Sequence, residues 1–441
     1  MIRPFRVVAV GLAAVLMAAC GRESPTAVGG SLLTGGGART FEILLDAPQF
    51  LVSDSAVSGF VLNAAVAPFH IVARSFGGVV NAHALATFVA PTKSITVLDS
   101  TNTSRTDTLP SFFQALVVLH VDTAAANGGP VTLQLYRTVQ QFDPFSATWA
   151  LRVDTGNVQL PWATPGGTVG ALVDTAVYQP GDDSVIFHVD SSTVAEWADT
   201  TNLARGALVT AATPNSRMRF LGFDYIVSAH SSIRKDTVVT QTPGVSGSTF
   251  IFTPGGPTPQ PGVLMIGGIP VWRSFFTLRP DLATRTMTCP ASAGVSCSFT
   301  LKTVKVNFAG LLVQPASTGA WVPEDTVRPE AFTLDTATGV PLNRSPIGVH
   351  IGSTAPVLAP QLFSAPTATS FTIPITPMVA AMAGDTVLAG SAAAQSRTVA
   401  VLHYPEPGLF GVAGFYGLSA GPALAPKLRL IITIAPEVQL P

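Results

Sequence analysis

Residues 115–139 read ALVVLHVDTAAANGGPVTLQLYRTV. Two runs of β-formers flank a turn signal, Asn127-Gly128-Gly129-Pro130. Within residues 132–136 (TLQLY), polar and apolar side chains alternate. That period of 2 turns one face of an extended strand toward a core and the other toward water. The glycines tolerate either sign of φ and Pro130 lacks an amide donor, so the chain must turn between the two runs.

The same grammar continues outward. Further strands are expected at 41–45, 184–189, 218–227 and 236–240, separated by the turn formers TPGG, QPGDD and ATPNS. Beyond residue 262, short strands are expected at 263–269, in VWRSFFTL, and at 299–308, 311–314, 370–375, 398–402 and 428–434. Helix signals are confined to 191–198, with Ser191 or Ser192 as cap, and 378–383. Thirty-six prolines and 39 glycines count against a helical architecture. The expectation is an all-β chain. A Pro/Gly-rich linker at 253–262 (TPGGPTPQPG) divides it into β-sandwich domains at 38–252 and 263–438.

The halves share an order of features. SFFQALVVLHV at 111–121 answers CSFTLKTVKVNF at 297–308, a short helix follows late in each half, and FLGFDY at 220–225 answers FGVAGFYG at 410–417. This reads as a degenerate repeat.

The N-terminus supplies an address. Arg3 and Arg6 precede an uncharged apolar run at 7–19, and Ala18 and Ala19 lead into Cys20. This is the pattern of a lipoprotein export signal. At about 13 residues the run is too short for a ~30 Å hydrocarbon layer. The expectation is a signal peptide at 1–19, cleavage before Cys20, lipidation of its thiol, and a flexible tether at 20–37. The position after Cys20 is Gly21 and not the aspartate associated with inner-membrane retention. The expected location is therefore the outer membrane, on its periplasmic face or at the cell surface, with lipid as the first partner.

Charged residues make up 11% of the chain, against about 25% in an average globular domain. The net charge is −1, with both signs scattered, and no basic stripe is present. That composition excludes nucleic acid as a partner, because phosphates require such a stripe. It also excludes capture of acidic lipids by charge. Besides Cys20, the cysteines are Cys289 and Cys297, in TCPASAGVSCS. In an oxidising compartment a disulfide at a hairpin tip is the reading; two free thiols are the alternative, and zinc lacks a second ligand pair nearby.

Residues in the first half carry a family resemblance. In order they are Leu133 to Tyr136, Thr148-Trp149, Trp162, Pro165-Gly166-Gly167, Val185 to Val189, Val194 to Trp197, Gly206 and Phe220. Over roughly 111–228 this sequence resembles the DNRLRE domain family. The family's closing Pro-x-Leu strand is clearer in the second half, as Pro426-Lys427-Leu428. The resemblance implies jelly-roll sandwiches, a non-catalytic accessory role and extracellular placement, and some related modules bind polysaccharide.

Three tryptophans are candidate ligand contacts. Trp149, Trp162 and Trp197 could offer flat faces to sugar rings. They could equally fill the sandwich core, since Trp is highly buried on average. Residues 417–421 (GLSAG) match the G-x-S-x-G elbow around Ser419, but a strand is expected next and no histidine follows residue 403. The seven histidines are dispersed, and Asp182 and Asp183 lie in a turn without a calcium-loop spacing. No Gly-rich phosphate loop precedes a helix. No catalytic residue, metal or cofactor is therefore expected. The sequence reading is a lipid-anchored, non-enzymatic surface or periplasmic module binding extracellular carbohydrate. The alternatives are a structural or adhesion component that meets other envelope proteins through strand edges or loops, and a hydrolase whose acids the sequence hides.

Overall fold

The computed structural model describes residues 38–434, apart from 61–68, 126–127, 156, 255, 270, 292–295, 335–346, 353–354, 366–368, 386–396 and 407–408. The signal segment, Cys20 and the tether lie outside the described residues. The fold is all-β, built from antiparallel sheets, with three short α-helices among the described residues.

Two bodies are present. The first is a ten-stranded sheet that curls almost to closure. Its two end strands, Val169–Tyr178 and Ser184–Val189, are linked where the His188 N–H donates to Asp174 Oδ2 at 2.6 Å. The opening stretch behaves as its alternation demands. In Val131–Thr138, Val131, Leu133 and Leu135 are buried and the residues between them are partly exposed. This strand and Ser111–Val121 send their inward side chains into one core with Phe187, Trp197 and Tyr225.

The second body is a sandwich of an eight-stranded and a four-stranded sheet. Leu428, Leu430 and Ile432 from the smaller sheet interleave with Leu264, Ile266, Phe276 and Phe415 from the larger. The four strands of the smaller sheet run in the order Arg39–Asp46, Lys427–Ile434, Lys305–Val313, Phe371–Pro374.

That order corrects the expected boundary of the first domain. Arg39–Asp46 pairs along its whole length with Lys427–Ile434, and Leu51–Phe60 pairs with Val271–Leu278. Residues 39–60 thus belong with the second body. The reason is packing: Leu45, Ala47, Phe50 and Leu51 are buried in the second core.

Among its described residues, the segment at 253–262 carries no strand. It is nonetheless pinned at both ends. The Thr253 N–H donates to Asn81, and the Gly417 N–H donates to Gly262, at 2.9 and 2.8 Å. Gly262 has φ +76°, and a Cβ there would stand 3.0 Å from the Ala420 backbone, so only glycine closes this corner. Across the seam, Arg217 lies over the rings of Phe76 and Phe410, at 4.9 and 5.2 Å, and 3.6 Å from Glu324. Glu324 also accepts the N–H groups of Phe410 and Gly411. A shared apolar cluster joins Ile71, Phe250 and Phe252 to Ile269 and Phe410. The two bodies are fastened to each other.

Besides the single turn Ala47–Phe50 there are the two expected helices; the first of these is Ser191–Ala198, but its cap is Asp190 and not a serine. Asp190 Oδ1 accepts the Thr193 N–H at 2.8 Å, and the carboxylate meets the helix end with a full charge where a hydroxyl brings only a dipole. The second helix, Thr376–Ala383, ends on Gly384 at φ +97°. These helices pack on Ser111–Val121 and Lys305–Val313, respectively. The single strand expected at 299–308 is broken in two by a helical turn at Leu301–Thr303.

Cys289 and Cys297 form a disulfide, with Cα atoms 5.2 Å apart, at the tip of the small hairpin joining Met287–Thr288 to Ser298–Phe299. Replacing both cysteines by serine should lower stability by about 2 kcal/mol, because so short a loop restricts the unfolded chain little. Urea unfolding followed by circular dichroism checks this; a loss above about 5 kcal/mol would mean the bridge holds more than its own hairpin.

Candidate functional site

The three candidate tryptophans do not form a platform. Trp197 is fully buried, 4.8 Å from Phe88 and 5.6 Å from Tyr225 between ring centroids. Trp162 is buried beside Phe142 and donates from Nε1 to the Thr148 carbonyl at 2.9 Å. Trp149 lies against Gly166, where a Cβ would approach its ring to 2.8 Å, and its centroid is 4.9 Å from that of His83. His83 in turn donates from Nδ1 to the Gly166 carbonyl at 2.6 Å. The Pro-Gly-Gly turn is thus shaped to receive Trp149, with Gly166 at φ +90°. These rings fill two packed clusters, and a sugar ring has no open face of Trp162 or Trp197 to stack on.

An aromatic strip does reach solvent elsewhere, on the outer face of the larger sheet of the second body. The strand Pro329–Leu334 pairs with Thr398–His403 on one side and with the edge strand Ile347–His350 on the other. Period 2 puts Glu330 and Phe332 on the same face. Phe332 stands directly opposite His350, with ring centroids 4.9 Å apart. Tyr404 follows the neighbouring strand, 6.4 Å from Phe332, and its N–H donates to the Arg328 carbonyl. Tyr404 is 51% exposed. Glu330 Oε2 lies 3.3 Å from His350 Nε2. The result is three rings in a row at a sheet edge, with a carboxylate and an imidazole beside them. That arrangement offers apolar faces flanked by hydrogen-bonding groups, the pairing that recognition of a sugar requires.

Residues 329–334 (PEAFTL) do not alternate cleanly between polar and apolar, so no local signal marked the strand that sets Glu330 beside Phe332. His350 and Tyr404 could not be joined to them without knowing which strands pair.

The carboxylates held below their ordinary range serve turns and caps. Ser192 and the Thr193 N–H hold Asp190 below the usual carboxylate range, and Thr201 does the same for Asp199. Thr101 and Arg105 hold Asp99 down, Ser232 and Ser231 hold Asp107 down, and Arg279 holds Asp281 down. Asp182 and Asp183 bond within their own turn, to the Gln179 N–H and the Ser184 hydroxyl. Ser419 sits in a turn at Leu418–Ala420, followed by the strand Lys427–Ile434, so no helix N-terminus is aimed at its hydroxyl. His120 pairs with Asp224 at 2.8 Å, and His188 lies 3.7 Å from Asp174. Among the described residues, no three His, Cys, Asp or Glu side chains come together as metal ligands.

No family model and no curated protein matches the chain. Among solved structures, those of infectious bursal disease virus, Gx and Gt strains, align over 92% and 93% of this chain and 80% and 81% of theirs. Identity is 10% and 11%, with TM-scores of 0.12 and 0.10, a likeness that carries no argument about fold or function.

Proposed function

We propose that this chain is an exported, lipid-anchored, non-catalytic module that binds extracellular carbohydrate, with Tyr404, Phe332 and His350 as the stacking surface. Lipid on Cys20 would hold it at the outer membrane, on the periplasmic face or at the cell surface, as the N-terminal sequence pattern suggests. The observation that carries the binding reading is the solvent-open aromatic strip beside Glu330 on one sheet face. The DNRLRE-like order of residues supports an accessory role. The use of the lowered carboxylates in turns and caps, and of the raised Glu406 in an ion pair with Arg273, supports a non-catalytic one. The recognition surface is moved from the tryptophans to the strip, because rings packed in a core cannot take a ligand.

The test is a binding screen of soluble residues 38–441 against a panel of polysaccharides, insoluble ones included. Saturable binding is expected, weakened about tenfold or more by Tyr404→Ala with the circular dichroism spectrum unchanged. Binding that survives Tyr404→Ala and Phe332→Ala would remove the strip from the reading. No binding to any polysaccharide would remove the carbohydrate.

A further inference from the structure

Tyr404, Phe332 and His350 are similarly spaced, but their rings do not share a plane. Phe332 and Tyr404 have centroids 6.4 Å apart and planes turned by 37°. Phe332 and His350 have centroids 4.9 Å apart and planes turned by 55°. Both steps lie close to the advance from one sugar to the next along an extended chain. The turns between the planes decide what form that chain can take.

The sheet beneath sets those turns. Tyr404 directly follows Thr398–His403, Phe332 is on Pro329–Leu334 and His350 closes Ile347–His350, three neighbouring strands. Neighbouring strands are rotated by roughly 20–25°, and the side chains that stand on them carry that rotation. Register adds to it. Phe332 is opposite Ala400 and His350, whereas Tyr404 lies past His403, the partner of Pro329. The Tyr404 and Phe332 rings therefore meet on a diagonal, across the row that holds Glu330.

A sugar that stacks lies flat on the ring below it, so three sugars on this strip cannot be coplanar. A crystalline polysaccharide presents rows of coplanar sugars and can reach one ring of the strip at a time. A chain free of its neighbours can turn about each linkage, and only such a chain meets all three rings. Glu330 favours the free chain for a second reason. One of its oxygens is 3.3 Å from His350 Nε2, and the other accepts no hydrogen bond among the described residues. A carboxylate oxygen with open lone pairs takes sugar hydroxyls, and in a crystal those hydroxyls are already bonded to neighbouring chains.

Resting on the carbohydrate reading above, we infer that the strip takes a single, twisted polysaccharide chain, three sugars at a time, and not the flat face of a crystalline polysaccharide. Tyr404, Phe332 and His350 each stack on one sugar, and Glu330 accepts hydroxyl hydrogens from the chain.

The probes are the hexaoses of β-1,4-linked glucose, β-1,4-linked xylose and β-1,3-linked glucose, titrated by calorimetry into soluble residues 38–441, and microcrystalline cellulose and crystalline chitin, sedimented with the same protein. Saturable binding of at least one hexaose is expected, weakened about tenfold by Tyr404→Ala and about threefold by His350→Ala. Both residues are exposed, so the variants keep the fold, which circular dichroism checks. Affinity for shorter chains of the bound sugar should rise about tenfold from two sugars to three, and no more than about fourfold from three to six, the gain from extra registers alone. Neither crystal should carry down protein in a way that Tyr404→Ala abolishes. Strip-dependent binding to a crystal as tight as to a hexaose, or without any hexaose binding, overturns the single-chain form and leaves the carbohydrate reading standing. An affinity that keeps climbing steeply beyond three sugars does the same. A hexaose that binds both variants as it binds the parent overturns the inference by placing the sugar elsewhere, and no binding to any probe overturns it together with the carbohydrate reading.

Discussion

Replacing Glu406 by alanine is expected to destabilise the second body by about 3–5 kcal/mol, enough to unfold a marginal protein. Glu406 and Arg273 form an ion pair whose side chains are 0% and 4% exposed, with Nη2 to Oε2 at 2.7 Å and Nε within 3.2 Å of both oxygens. Burial pushes the Glu406 carboxyl up, and the Arg273 guanidinium opposes that shift by bonding the ionised form. The pair adds little net stability, since both charges gave up hydration to reach this site. Removing Glu406 takes away a carboxylate that bonds the buried guanidinium at both Nε and Nη2, and there lies the cost. Accordingly, the double variant Arg273→Met with Glu406→Leu should regain most of the stability lost by Glu406→Ala. Thermal and urea unfolding of the three proteins check this. A double variant no more stable than the single one would mean that the pair itself, and not the buried guanidinium deprived of its carboxylate, carries the energy.

Acid should cost nearly as much. His70 and His403 are both buried, and burial pushes each imidazole down to about 4 from its ordinary 6.5. His70 is fixed by Ser248, at 2.7 Å from Nε2, and by the edge of its ring against Phe223. His403 accepts the Arg328 N–H at Nδ1. Around it Asp325 favours the charged form, and Arg328 and Arg219 oppose it. Above pH 6.5 both histidines are neutral folded or unfolded, and stability does not change on their account. As pH falls from 6.5 to 4, the unfolded chain takes up protons that the folded chain refuses, so stability is lost across that window. Each histidine contributes a loss of about 3 kcal/mol by pH 4. Unfolding midpoints at pH 7.5, 5.5 and 4.5 should fall steadily, and His403→Gln, whose amide oxygen can still accept the Arg328 N–H, should remove part of the fall, His70 and His83, which burial also pushes down, carrying the rest. A midpoint independent of pH over this range would contradict the burial of both rings.

Much of the fold was legible because its signals are local. The alternation in residues 132–136, the turns at 164–167 and 179–183, and the short helix at 191–198 each depend on neighbours a few residues away. Other strands hid from that reading. Val80–Phe88 (VNAHALATF) alternates except at Leu85, but its apolar face is largely alanine, so it lacks the β-branched and aromatic enrichment that marks a strand. Val169–Tyr178 is largely exposed at an edge with two register shifts, which blurs its period. The placement of residues 39–60 was beyond local reading, since nothing in Arg39–Asp46 names a partner nearly four hundred residues away. The tryptophans misled for a related reason: spacing in sequence shows which rings exist, and only tertiary packing shows which face water.

The pairing of Arg39 with Ile434 also sets a timetable for the chain as it is made. Synthesis at ~5–20 residues per second leaves the first strand waiting tens of seconds for the last. The body at 70–252 contains all its strand partners within itself and can close while the remainder is still emerging. The other body needs both extremes of the described chain, so its small sheet assembles only after Lys427–Ile434 has arrived. Until then the apolar stripe of Leu45, Phe50 and Leu51 stays unsheltered, an opening for chaperones to guard and for neighbouring nascent chains to exploit.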